Sequence, residues 1–140
     1  MKKIKILIPV YNDWQSVFKL LENINSEAST LEDEFSVIIV NDASTESRSE
    51  SLTNLSNLKS IQVINMRENK GHARCNAAGL KYISEKEDFD CAIPMDGDGE
   101  DRPEELSLLI EKIKRLPFII CNLIYCLTFF LRIHLNYRNR

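Results

Sequence analysis

Carboxylates stop early in this chain. From Lys112 to Arg140 there is no Asp or Glu, while six Lys/Arg residues fall in the same stretch. No Asp or Glu base is available in that stretch. Glycine and proline are scarce, four of each, and 44% of the residues are hydrophobic, which excludes a disordered chain. The four cysteines, Cys75, Cys91, Cys121 and Cys126, show no CxxC spacing and no histidine partners at zinc-site intervals. They read as buried or idle thiols in a reducing compartment. The start, MKKIKILIPV, is basic, but its apolar run is short and Pro9 interrupts it. No signal peptide is visible, and the chemistry is expected on the cytoplasmic side.

What is present is one domain's worth of sequence with an uneven charge. Up to Glu111 there are 12 Lys/Arg against 21 Asp/Glu; beyond it the balance is wholly basic. We expect an α/β domain over residues 1–111 and a separate segment over 112–140. Short β-rich runs occur at Ile4–Val10, Phe35–Val40, Ile61–Met66 and Asp90–Met95. The second is apolar but for Ser36, as buried parallel strands tend to be. Helical stripes intervene. One starts at Trp14 behind an Asn12 or Asp13 cap, a weaker one covers Arg48–Leu58, and one follows Gly71 with Ala73, Ala77, Leu80 and Ile83 on one side. A last helix opens at Pro103 and runs to about Arg115.

Four alternations of strand and helix predict a doubly wound, mostly parallel sheet. Ligands of such sheets bind beyond the carboxyl ends of the strands. The polar stretches YND, NDAS, RENKG and MDGDGED fall at those ends. The last places Asp96, Asp98, Glu100 and Asp101 within six residues, and Gly97 and Gly99 let the backbone fold so that the carboxylates converge. Oxygen donors of this kind suit Mg²⁺ or Mn²⁺, and magnesium completes its shell with water and substrate phosphates. An EF-hand fits poorly, because Asp101 stands where that loop needs Gly. A solvated acidic turn capping the next helix is the competing reading.

Taken in series, IPVYN, VIIVNDASTE, NKGHARCNAAGLKYI and MDGDGEDRPEEL resemble family-two glycosyltransferases of GT-A fold, nearest the polyprenyl-phosphate sugar synthases, over roughly Ile4–Leu106. The resemblance implies a nucleotide-diphospho-sugar donor and a divalent metal, with a polyprenyl phosphate or glycan as acceptor. It implies that Pro9, Tyr11 and Asn12 wall the nucleotide pocket and that Asp42 bonds the base or ribose. Gly71 and Arg74 would lie near the base and diphosphate. Asp96 and Asp98 would hold the metal and sugar diphosphate, with Glu100 as a further metal ligand. The family's acceptor region and base lie beyond the point where this chain stops, so a non-catalytic nucleotide-sugar-binding module or subunit is the alternative. Asp13, Asp101 and Glu104 are candidate bases. A Cys75–His72 nucleophile pair is disfavoured against a plain helical contact. A receiver-like signalling domain is also disfavoured, because its acids follow the first and third strands. The apolar run Leu116–Leu131 with basic flanks reads as an interfacial, packing or aberrant tail, shorter as a helix than a bilayer core. Nothing in the pattern calls for nucleic acid.

Overall fold

The structure, a computed structural model, describes residues 1–47, 55–98 and 101–115. Four strands form one sheet: β1 (Lys3–Val10), β2 (Glu34–Asn41), β3 (Leu58–Asn65) and β4 (Cys91–Pro94). Their order is β3-β2-β1-β4 and every pairing is parallel. Helix α1 (Trp14–Ala28) links β1 to β2, and α2 (His72–Lys86) links β3 to β4. A 3₁₀ turn (Pro103–Glu105) then leads into α3 (Leu106–Arg115). Two compact units are present, Met1–Ser107 and Leu108–Arg140. The sheet, α1, α2 and the 3₁₀ turn belong to the first. The described part of the second is the rest of α3, with exposed Leu108 and Leu109 and a basic last turn of Lys112, Lys114 and Arg115. Among the described residues no helix is long and apolar enough to cross a membrane. The Leu116–Leu131 run lies outside them.

The two central strands carry the core. In β1 and β2 nearly every side chain is buried, because α1 covers one face and α2 the other. Successive side chains alternate between those faces. Leu7, Ile38 and Val40 pack against Cys75 and Ile83 of α2. On the other face a Cβ built at Gly97 would meet Val17 of α1 and Ile8 of β1, so these two residues are neighbours there. Each fully buried aliphatic side chain stabilises by roughly 1.5–3 kcal/mol before entropy is counted. The apolar run of β2 is thus explained by burial on both sides.

Helix α2 corrects one expectation. Ala73 and Ala77 are exposed, and the buried seam is Cys75, Asn76, Gly79 and Ile83. Backbone approach sets that seam. A Cβ at Gly79 would stand 2.3 Å from Leu7 Cδ1 and 2.8 Å from Val40 Cγ2, so only glycine lets α2 settle on the sheet here. The weak helix expected over Arg48–Leu58 lies mostly outside the described residues. At its end, Ser56–Asn57 form a turn and Leu58 already opens β3.

Strand lengths shape the edge where ligands are expected. β1 pairs with β2 along its whole length, ending at Val10↔Asn41, whereas β4 pairs only from Ile4↔Cys91 to Leu7↔Pro94. Past Pro94, Met95 N still donates to Leu7 O at 2.9 Å, and the chain then leaves the sheet. Three residues of β1 are left without a neighbour on that side. Pro9 fits this notch, because its missing N–H points toward the side from which β4 has gone.

Candidate nucleotide-sugar and metal site

The notch is the switch point of the sheet, where strand order turns from β2 on one side to β4 on the other. A cavity of about 170 Å³ occupies it. Its walls come from the end of β1 (Pro9, Tyr11), the start of α1 (Asp13), the first residue of α2 (His72) and the acidic loop (Asp96, Asp98). Of the residues singled out in the sequence, Pro9, Tyr11, Asp96 and Asp98 thus meet around one space. Tyr11 is 50% exposed and stands at the rim, while Trp14 is core. Glu100 lies outside the described residues.

Two other sequence-predicted residues serve as tethers beside the cavity. Asn12 takes a left-handed φ of 62°, which asparagine tolerates better than most residues. Its Oδ1 accepts from Thr45 N at 2.8 Å and Glu46 N at 3.1 Å, and its own N–H donates to Ser44 Oγ. The loop after β2 is thereby tied to the end of β1. Ala43 in that loop also has a positive φ, 57°, a strain that asparagine or glycine would largely avoid.

Asp42 is 3% exposed, and its two oxygens accept from Lys70 N and Gly71 N, both at 2.8 Å. A carboxylate holding two amides fixes the loop that delivers α2, and Gly71 (φ 82°) makes the turn into that helix. Arg74 is exposed on the first turn of α2.

Asp13, rather than Asn12, caps α1: its Oδ1 accepts from Ser16 N at 3.2 Å. Asp101 Oδ2 accepts from Asp96 N at 2.7 Å, folding the acidic loop back on itself. Gly97 sits where a Cβ would stand 3.0 Å from Val17 Cγ2, so the loop lies close against α1.

The sequence pattern passed over His72 as part of this site. Its Nε2 lies 3.4 Å from Asp96 Oδ1 and 2.9 Å from Asn76 Nδ2, on a helical i, i+4 pair. The signal available was its place directly after Gly71, at the carboxyl end of the sheet. Cys75 does not join it. Its thiol donates to Val40 O at 3.2 Å, and burial, followed by the nearby Asp42 charge, pushes its pKa up to about 11. A thiol so raised stays protonated at neutral pH and is no nucleophile.

Whether these residues suit a divalent cation is decided by donor chemistry. Asp96 and Asp98 put hard oxygen donors on the wall of this cavity. Among the described residues no three His, Cys, Asp or Glu side chains already form a complete metal-holding group. A pair of carboxylates fits an ion that takes one or two protein ligands and fills its shell from water and phosphate.

Known proteins resemble this chain in sequence and in fold. The sequence is 27% identical over 114 residues to the undecaprenyl-phosphate 4-deoxy-4-formamido-L-arabinose transferase of Klebsiella pneumoniae, covering 80% of this chain and 34% of that protein. The Proteus mirabilis transferase of the same name is 30% identical over 112 residues, covering 79% and 33%. The chain therefore spans about a third of the length of the curated relatives it matches. Among solved structures, residues 1–349 of Staphylococcus aureus TarS align with a TM-score of 0.61 at 21% identity, covering 80% of this chain and 32% of that one. The mannosyltransferase PcManGT of Pyrobaculum calidifontis, solved with GDP-Man and Mn²⁺, aligns with a TM-score of 0.55 at 20% identity, covering 69% and 28%. The fold is that of GT-A glycosyltransferases. Residues 5–139 match Glycosyl transferase family 2, and with its parallel sheet and acidic loop at the switch point, this chain belongs to that family.

Proposed function

We propose that this chain is the nucleotide-diphospho-sugar-binding part of an inverting, metal-dependent glycosyltransferase whose acceptor is a polyprenyl phosphate or a glycan. The carrying observation is the gathering of Asp96 and Asp98 with Pro9 and Tyr11 around the switch-point cavity. The relatives that act on undecaprenyl phosphate support the acceptor class, and the neighbour solved with GDP-Man and Mn²⁺ supports the donor and the ion.

Asp96 and Asp98 would hold Mg²⁺ or Mn²⁺, with Glu100 as a further ligand. The bound ion supplies a counter-charge for the departing nucleoside diphosphate. The chain's own residues do the rest. Tyr11 offers an exposed aromatic face at the rim, and Asn12 and Asp42 set the loops that wall the nucleoside side. Arg74, exposed at the start of α2, offers a forked donor to phosphate. The candidate bases are a residue outside this chain or Asp13, Asp101 and Glu104, of which Asp13 and Asp101 each hold a backbone amide through one oxygen. The exposed leucines and basic last turn of α3 suit an anionic lipid surface, in keeping with a place at the cytoplasmic face of the membrane.

Calorimetric titration of the full chain with UDP, GDP and their sugars, with and without Mn²⁺, tests this reading. Metal-dependent binding that falls at least tenfold in Asp96→Ala and Asp98→Ala is expected. Binding that ignores both metal and substitutions would overturn it.

A further inference from the structure

One contact at the switch point brings together two atoms that both offer lone pairs. Asn76 is 1% exposed, and its Nδ2 lies 2.9 Å from Nε2 of His72, one helical turn earlier. An amide NH₂ only donates, so Nε2 accepts and carries no proton. The same Nε2 faces Asp96 Oδ1 at 3.4 Å, and an ionised carboxylate has only acceptor sites to turn toward it. Two electron-rich atoms held this close repel unless something positive lies between them. The His72 side chain is 52% exposed, and both residues line the switch-point cavity with Asp98, so ions from solvent reach the gap.

The separation narrows what fills that gap. A first-row divalent ion such as zinc bonds imidazole nitrogen and carboxylate oxygen at roughly 2.0–2.2 Å. With both bonds at about 2.1 Å, a 3.4 Å separation corresponds to an N–metal–O angle of about 110°. That angle is tetrahedral, and an approach of about 0.4 Å would make it octahedral. Mg²⁺ keeps to oxygen donors, whereas imidazole nitrogen suits transition ions. The pair is also held from outside itself. Asp42 accepts from Lys70 N and Gly71 N, just before His72, and Asp101 accepts from Asp96 N. Two separate loops thus present the two donors, each anchored through its backbone by another carboxylate.

We propose that His72 Nε2 is a metal ligand beside Asp96 and that it biases the site toward a transition cation, Mn²⁺, over Mg²⁺. Asn76 is the placeholder, because its N–H holds the lone pair that the ion takes over. The inference deepens the proposed function, on which it rests for the place of the ion, and names the residue that selects the ion.

The chain contains two histidines, His72 and His134, so a histidine signal can be assigned by substitution. The full chain, its histidines carrying the heavy nitrogen isotope, is loaded with Mn²⁺ alone and then with Mn²⁺ and GDP or UDP. Pulsed EPR reads the nitrogen coupling to the ion. Coupling to histidine is expected in the wild type and in His134→Gln, and is lost in His72→Gln, whose folding is verified by circular dichroism. Calorimetry gives the second readout. The ratio of Mn²⁺ to Mg²⁺ affinity should fall about fivefold to tenfold in His72→Gln, through weaker Mn²⁺ binding, with Mg²⁺ affinity moved less than about twofold. Absence of histidine coupling, coupling that persists in His72→Gln, or a ratio unmoved by that substitution would overturn the proposal. Histidine coupling with Mn²⁺ alone, together with no binding of either nucleotide, would remove the proposed function and leave the assignment of His72 standing. Metal-dependent nucleotide binding without the coupling would do the reverse.

Discussion

The two ends of the sheet carry their charge differently. At the amino end, acids meet lysine side chains: Lys2 pairs with Asp90, Lys3 with Asp88, Lys5 with Glu87 and Lys59 with Glu34. At the carboxyl end, Asp42, Asp13 and Asp101 bind backbone amides. An ammonium cancels a carboxylate's charge, whereas an amide only solvates it. The amino end is held by these ion pairs together with the Lys2 and Lys3 amides, which donate to Asp33 and Asp90. At the carboxyl end, amides anchor Asp42, Asp13 and Asp101, while Asp96 and Asp98 line the switch-point cavity.

The largest effect that would break this contrast is expected from Asp42→Ala. It strips the acceptor from two amides and leaves a hole under the loop, costing about 3–4 kcal/mol in chemical denaturation. Nucleotide affinity should fall as well, since Gly71 and α2 lose their anchor. If stability holds while only binding falls, Asp42 acts on the ligand and not on the loop.

A smaller cost, about 2–3 kcal/mol, is expected for Lys5→Met. Lys5 and Glu87 side chains are only 9% and 14% exposed and lie 2.7 Å apart, so removing one partner leaves a mostly buried charge. Glu87 also accepts from Gln62, whose Oε1 in turn accepts from the Tyr82 hydroxyl. Adding Glu87→Leu to Lys5→Met should restore most of the loss. If the double variant is as weak as the single one, the polar network matters beyond its charge balance.

The mildest expectation concerns pH. The hydrogen bond from Lys5 holds Glu87 below its ordinary pKa, and that from the Lys3 backbone does the same for Asp90. A depressed folded-state pKa gives stability that is present above the unfolded value and lost as pH falls through the folded one. Thermal midpoints should therefore be flat from neutrality to about pH 5 and decline below about pH 4, where these carboxylates protonate. The Lys5→Met variant should show a shallower decline, because Glu87 has then lost its lowering partner. An equally steep decline in both would place the acid sensitivity elsewhere.

Much of this arrangement was legible in the residues. The unbroken apolar run Phe35–Val40 required a central parallel strand, and the polar stretches after each strand marked the edge where Asp96 and Tyr11 meet. What failed did so for want of tertiary information. Ala73 and Ala77 suggested the buried face of α2, but the tight fit of Gly79 on Leu7 and Val40 turned the helix to bury Cys75 and Asn76 instead. Asn12 offered itself as a helix cap, yet its partners are more than 30 residues away. His72 looked like any exposed helical residue until β4 brought Asp96 beside it. Hydrogen bonds between loops at different strand ends leave no periodic trace in the sequence.

The tether at Asn12 has a consequence for how such a domain diversifies. It grips Thr45 and Glu46 by their main-chain amides, while the hydroxyls of Ser44 and Thr45 meet it as well. Glu46, held by its amide alone, can then be exchanged without rebuilding the bracket that carries it, whereas Ser44 and Thr45 are tied to it by their side chains. One scaffold can in this way present new faces to new ligands, with Asn12 as the fixed hinge pin of the variation.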